Sequence, residues 1–266
     1  MSNQFKIMGI LNVTPDSFSD GGDFLNVKDA LHHVEAMIND GADIIDVGGQ
    51  STRPNSEPIT AQEEIRRVVP IVSEIHNNFP HITVSIDTTK YVVALAALDE
   101  GASIVNDISG LGDDVRIAEL AARFNAGLII MHIQGTPQTM QINPHYQNVV
   151  EEVFLHLNSR IELAKHSGVQ NIWADVGIGF GKTSEHNLEL LRNLDYFQKL
   201  NVPLALGISR KAFIGKILGI EQPKDRDIPT ALLHSLLLKN NIDIIRVHNV
   251  KYLNQLRILN DALNNI

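Results

Sequence analysis

Eight short apolar runs rich in Val, Ile and Leu recur along this chain at steps that each leave room for a helix. That rhythm constrains its fold more than any other feature. The runs are Phe5–Val13, Asp43–Gly48, Ile82–Thr88, Ser103–Ser109, Gly127–His132, Asn171–Gly177, Pro203–Ser209 and Ile244–Asn249. Short, near-continuous apolar stretches are how strands buried on both faces of a parallel sheet read. Between them, Val27–Asp40, Ala61–Asn77, Asp113–Asn125, Asn148–Ser167 and Pro229–Asn240 carry helical patterns. Even the shortest step, from Asp87 to Asn106, holds a helix over Lys90–Glu100, and a parallel crossover needs only about a dozen residues. Eight strands and eight crossovers in 266 residues predict an α/β chain folded as a single (β/α)8 TIM barrel. One domain over residues 1–266 follows, because no repeat, low-complexity linker or shift in composition divides the chain. A doubly wound open sheet shares the pattern, and periodicity alone does not separate the two.

Composition narrows the partners. Lys plus Arg number 22 against 31 Asp plus Glu, a net charge of −9. That balance opposes binding to nucleic acid or to an anionic membrane, both of which need a basic footprint. The chain has no cysteine, which excludes disulfides, thiolate metal sites and thiol nucleophiles. Its first residues lack a basic segment followed by an apolar one, and no 18-residue apolar run occurs anywhere. A cytoplasmic protein is the expectation.

The connectors after strands one and two are long and unlike plain linkers. Thr14–Asn26 and Gly48–Pro58 are punctuated by Gly and Pro yet carry charged side chains, and the first carries aromatic ones as well. Long loops of this kind in a compact domain are functional or disordered.

A barrel enzyme keeps its site at the C-terminal ends of its strands. Here every strand ends on polar groups: Asn12, Asp46, Asp87, Asn106 with Asp107, His132, Asp175, Ser209 with Arg210 and Lys211, and Arg246 with His248. For Asp46 and Asp107 the first reading is a helix cap or structural hydrogen-bonder. Arg246 and His248 are two apart on one strand and so face the same way. With Arg53 and Lys211 they make the donor set that a phosphate or diphosphate requires, although an ion pair with a neighbouring Asp competes as the reading of Arg246. Asp87, Asn106 and Asp175 form the opposite set, suited to the donor-rich edge of a guanidine-like or aminopyrimidine ring. Gly177-Ile178-Gly179-Phe180-Gly181-Lys182-Thr183 imitates a P-loop, but position 176 is Val; the run reads as a turn that brings backbone close to a ligand. Metal ligands are sparse: the eleven His are scattered, His32 and His33 read as surface, and Asn12 is the one candidate for a Mg²⁺ held mostly by substrate phosphates.

These residues, taken in order, resemble the dihydropteroate synthase family of pterin-binding enzymes over almost the whole chain. The resemblance rests on Met8-Gly9-Ile10-Leu11-Asn12-Val13-Thr14-Pro15-Asp16-Ser17-Phe18-Ser19-Asp20-Gly21-Gly22, Ser51-Thr52-Arg53-Pro54 and Ser85-Ile86-Asp87-Thr88. Asn106-Asp107-Ile108, Met131-His132, the Gly177–Lys182 turn, Ser209-Arg210-Lys211 and Arg246-Val247-His248 extend it. It implies a transferase of folate biosynthesis and a sulfonamide target, usually a homodimer. Such an enzyme condenses (7,8-dihydropterin-6-yl)methyl diphosphate with p-aminobenzoate to dihydropteroate and diphosphate. By that likeness Asp87, Asn106, Asp175 and Lys211 hold the pterin, Asn12 ligates Mg²⁺, and Thr52, Arg246 and His248 receive the diphosphate. Arg53, Phe18 and Lys211 enclose p-aminobenzoate, while Asp20 arrives with the first loop; Arg53, Lys211 and Asp20 are the expected catalytic set. Gln50, Val176, Ala212 and Asn249 depart from the family's usual Glu, Pro, Ser and Asp. A catalytically weak pterin-binding paralogue and a folate-dependent methyltransferase barrel are the alternatives.

Overall fold

The computed structural model describes residues 5–14, 23–52 and 56–264. The strands are β1 (Lys6–Asn12), β2 (Ile44–Gly48), β3 (Thr83–Asp87), β4 (Ile104–Asp107), β5 (Gly127–Met131), β6 (Ile172–Asp175), β7 (Leu204–Leu206) and β8 (Ile242–Val247). They run parallel and pair in sequence order, and β8 closes on β1 through Lys6↔Ile244 to Gly9↔Val247. Closure removes the open-sheet alternative. The helices are α1 (Asp23–Asn39), α2 (Ala61–Asn78), α3 (Tyr91–Asp99), α4 (Arg116–Arg123), α5 (Val149–His166), α6 (Ser184–Arg192), α7 (Ala212–Leu218), α8 (Asp227–Leu237) and α9 (Val250–Asn264).

Helix starts follow local chemistry. Thr60 caps α2 by accepting from Glu63 N, and Asn148 caps α5 by accepting from Glu151 N. Thr183 and His186 make a reciprocal capping box on α6. Helix α1 begins at Asp23, so its first turn occupies what the sequence presents as the end of the first loop. Asp and Asn weaken helix interiors but suit a first turn, which disguised that boundary. Helices α6, α7 and α9, which the sequence pattern does not mark, each bury only two or three side chains.

Side-chain alternation divides every strand between two environments. Ile7, Ile45, Val84, Ile86, Val105, Leu128, Ile130, Leu206 and Ile245 face outward and join the helices in the main core. Met8, Ile44, Ile104, Ile129, Ala205 and Ile244, with Trp173 against them, form a separate apolar plug inside the barrel. Two residues further along, the same interior face carries Ile10, Asp46, Asn106, Met131, Asp175, Gly207 and Arg246. The plug therefore becomes the floor on which a polar mouth is built.

Trp173 anchors that floor by donating its indole N–H to Asp243 Oδ2 at 2.6 Å. Its ring occupies space left by Gly127, where a Cβ would stand 2.6 Å from Trp173 Cζ3. Gly127→Val should overfill the plug and cost about 1–3 kcal/mol. Urea unfolding of the variant should show a lowered midpoint with an unchanged slope; full stability would mean the floor is not tightly packed.

Candidate active site

Arg246 stands at the centre of the mouth. Its Nε donates to Asp46 Oδ2 at 2.6 Å and its Nη2 to Asp87 Oδ2 at 2.7 Å, while Asn106 Nδ2 donates to the same Asp46 oxygen at 3.0 Å. The acid and cation sets that look separate in the sequence are thus interleaved, and the ion-pair reading of Arg246 is the geometry observed. Asp46 is fully buried and serves as the bracket joining β2, β4 and β8. Burial pushes the Asp87 carboxyl up to about 7 against the pull of Arg246, with Asp46 and Glu64 adding repulsion. Asp107 is a structural residue: it accepts from Ser109 N, Ser109 Oγ and Leu111 N, tying the turn after β4.

Asp175 shares this mouth. A Cβ on Gly207 would stand 3.8 Å from Asp175 Oδ2 and 3.9 Å from Arg246 Cβ, so the glycine just after β7 leaves a gap that both side chains flank. Burial raises the Asp175 pKa, while the Gly177 N–H, Lys211, Lys182 and Arg246 oppose the rise. The backbone then turns sharply. Gly177 takes a φ of +68°, and a Cβ there would collide with His132 O at 1.8 Å, so only glycine fits.

Lys182 holds this turn from beneath, with Nζ 2.9 Å from His132 Nδ1, 3.0 Å from Phe180 O and 3.3 Å from His132 O. An ammonium can only donate, so His132 Nδ1 is the acceptor and the ring is neutral. Burial brings Lys182 down to about 7 and lowers His132 as well. Tyr146 adds a second tie by donating its hydroxyl to Gly181 O at 2.8 Å. The fastened turn presents the Phe180 ring 4.0 Å from Lys211 Nζ, and burial lowers Lys211 to about 8.

The remaining rim comes from the ends of β7, β8 and β2. Arg210 adopts a φ of +59° and is gripped by both Asp227 oxygens, at 2.6 and 2.8 Å. Asn249 donates to the same Asp227 at 3.2 Å, an arrangement in which the amide serves where a second carboxylate would repel. His248 is bound to Ser209 and is brought down to about 3 by burial and by Arg210 and Arg246. At the base of the second loop, Gln50 Oε1 accepts from Ile59 N at 3.1 Å and Lys90 Nζ at 2.7 Å. Lys90 also pairs with Glu64, which is buried. Gln50 thus pins both ends of the loop without adding another charge.

Of the residues expected from sequence, Asp87, Asn106, Asp175, Lys211, Arg246 and His248 gather at this rim. Asn12 approaches Asp87 across Gly48, where a Cβ would be 3.8 Å from Asn12 Oδ1 and 3.7 Å from Asp87 Oδ2. Thr52 is half-buried at the start of the second loop. Phe18, Asp20 and Arg53 lie outside the described residues. Asp46 is the structural hydrogen-bonder the sequence suggests, whereas sequence reasoning overlooked Lys182. Asp46 was legible from parity, since it shares its face with Gly48; Lys182 had no such signal, because its burial depends on how the glycine turn folds.

Among the described residues, no three His, Cys, Asp or Glu side chains cluster as metal ligands, and no helix is long and apolar enough to cross a membrane. Comparison with known proteins agrees with the geometry. Residues 8–248 match the family described as pterin binding enzyme. The dihydropteroate synthase of Synechocystis is 45% identical over 97% of this chain and 89% of its own length. The Clostridium difficile dihydropteroate synthase crystallised in the presence of pteroic acid superposes with a TM-score of 0.91, at 40% identity over 98% of this chain and 97% of that one. The Xanthomonas albilineans enzyme in complex with 7,8-dihydropteroate gives a TM-score of 0.89, at 32% identity over 100% of this chain and 96% of that one. With its closed barrel, its interleaved acids and cations at the strand ends and these likenesses, the chain belongs to the pterin-binding enzymes, in the dihydropteroate synthase family.

Proposed function

We propose that this transferase joins (7,8-dihydropterin-6-yl)methyl diphosphate to p-aminobenzoate, releasing dihydropteroate and diphosphate. The observation that carries the reading is the meeting of Asp175 and Arg246 on one rim around Gly207, with Asp87 and Lys211 beside them. Asp175, Asp87 and Asn106 suit the donor-rich edge of the pterin, and Lys211 over Phe180 suits the opposite side of the ring. Thr52, Arg246 and His248 take the diphosphate. Phe18, Arg53 and Lys211 enclose p-aminobenzoate, with Asp20 carried in by the first loop.

The p-aminobenzoate nitrogen attacks the exocyclic methylene carbon. The bond from that carbon to the diphosphate oxygen breaks, its electron pair departs with diphosphate, and the nitrogen sheds a proton to solvent. Positive character on the pterin is tolerated by the nearby carboxylates, while Arg246 and His248 donate to the leaving anion; donors aimed at developing charge are commonly the largest catalytic term. Positioning the amine and excluding water completes the task, since water competes as nucleophile. A Mg²⁺ ion fits the donor set, because it favours few protein oxygens plus substrate phosphates, and Asn12 Oδ1 beside Gly48 is available for it. Bound there with diphosphate, it would supply further charge to the leaving oxygens.

We further propose that the chain acts as one domain over residues 1–266, in the cytoplasm, as a homodimer. The absence of cysteine accords with a reducing compartment. A stripe on α8, Ile228, Leu232 and Leu236, is exposed, as are Leu259 and Leu263 of α9, the helix packed against it, and these apolar side chains support self-association.

Incubation with the pterin diphosphate, p-aminobenzoate and Mg²⁺ should yield dihydropteroate and diphosphate in equal amounts. Pterin binding without product would identify a weak paralogue instead. Asp175→Asn should weaken the diphosphate substrate and the bare pterin alike, by about 2–3 kcal/mol or roughly 30- to 150-fold, in calorimetric titrations. Arg246→Ala should weaken the diphosphate substrate more than the bare pterin. It should also lower stability by about 3–5 kcal/mol, because Asp46 and Asp87 lose their buried counter-charge. Because burial brings Lys211 to about 8, its charge is lost as pH rises through 8 rather than 10.5. Substrate KM should therefore climb between pH 7.5 and 9, and Lys211→Arg should abolish that climb.

A further inference from the structure

Ser209 has no part in the reading above, yet it makes two contacts with one residue. Its Oγ lies 3.1 Å from the backbone N of His248 and 2.9 Å from Nδ1 of the His248 ring. The backbone N–H can only donate, so one lone pair of Oγ is taken. The hydroxyl has a single proton, and Nδ1 is the acceptor among the described residues placed to receive it; the reverse arrangement, Nδ1–H donating to the second Oγ lone pair, would leave that buried proton without an acceptor. Nδ1 is then unprotonated, and the ring proton sits on Nε2, which has no hydrogen-bond partner among the described residues.

The serine is itself held firmly. Ser209 is buried and precedes Arg210, whose left-handed φ of +59° is sustained by Asp227, by Thr230 Oγ1 accepting from Arg210 N at 3.2 Å, and by Arg226 donating to Arg210 O at 3.1 Å. Asp227 also accepts from Asn249, the residue after His248. One carboxylate therefore braces both loops, the one bearing Ser209 and the one bearing His248.

The tautomer matters because of what faces the ring. Burial, Arg210, Arg246 and Lys211 oppose a positive imidazolium, while Asp227 favours it. With the ring neutral, an Nε2–H offers an anion a donor, whereas a bare Nε2 lone pair repels it. A hydroxyl on the far side of the ring decides which of the two the anion meets.

We infer that Ser209 is a positioning residue that fixes His248 as its Nε2–H tautomer, making the ring a neutral donor to a diphosphate or similar polyanion at the barrel mouth. The ligand half of this rests on the placement of His248 in the anion site proposed above; the tautomer half does not.

Long-range proton–nitrogen correlation spectra of the histidine-labelled full chain test it, the His248 signal being assigned by its loss in His248→Gln. The wild type should show a pyrrole-like Nε2 and a pyridine-like Nδ1. Ser209→Ala should mix the two tautomers, and Ser209→Thr, which keeps the hydroxyl, should restore the wild-type pattern. Titration with inorganic diphosphate and Mg²⁺ should show Ser209→Ala raising Kd about 5- to 20-fold, with bare pterin affinity within about twofold. Because Ser209 acts through the ring, adding Ser209→Ala to His248→Gln should cost nothing further. An Nδ1–H ring in the wild type, an unchanged spectrum in Ser209→Ala, or a full additional loss in the double variant would each overturn the inference. If His248→Gln alone leaves diphosphate affinity intact, the anion-site reading and the donor role fall together, while the spectrum still decides whether Ser209 sets the tautomer.

Discussion

A guanidinium inside the barrel organises the mouth of this protein. Arg246 ties Asp46 on β2 to Asp87 on β3, and Asn106 on β4 completes the bracket from the other side. Two buried carboxylates side by side would repel strongly without it, and even with Arg246 opposing the rise, burial brings the Asp87 carboxyl up to about 7. The arginine converts that repulsion into a shared geometry. The acids proposed to face the ligand are therefore held in a fixed orientation by the protein itself, which suits the proposed grip on a flat heterocycle.

The bracket stands on an apolar floor. Met8, Ile44, Ile104, Ile129, Ala205 and Ile244 fill the barrel below it, with Trp173 sealing the gap opposite Gly127. Asp46, Asn106, Asp175 and Arg246 at the top each lie two residues beyond an apolar one on the same strand face. Stability and chemistry are thus separated along the barrel axis rather than between domains. The outward faces of the same strands serve only packing, joining the helices in the main core.

The rim shows a second rule: the side chains proposed to meet substrate are themselves held by other residues. Lys182 and Tyr146 fasten the turn that carries Phe180, and Phe180 in turn lies under Lys211. Asp227 braces the loops bearing Ser209 and His248. Gln50 pins the second loop at Ile59 and at Lys90. The outer layer is richer in neutral partners and backbone ties than in formal charge. In a barrel already crowded with buried ions, that limits the desolvation each new contact adds.

The strand positions, the two-residue alternation and the polar residues at the strand ends were all legible in the sequence, because each depends on neighbours within a few positions. The motifs around Asn12, Asp87, Asn106, Asp175, Lys211 and Arg246 marked the right end of the barrel for the same reason. What only the tertiary structure decided is which group meets which. Arg246 and Asp46 are 200 residues apart, and their hydrogen bond exists because β8 closes on β1 and brings the two onto one interior face. Lys182 gave no sign of its burial for the same cause: a long polar side chain is sent to solvent or to the interior by the turn around it. Local chemistry selects the elements, but closure of the sheet sets the distances between charges. The energies of those buried charges depend on distance far more than on sequence.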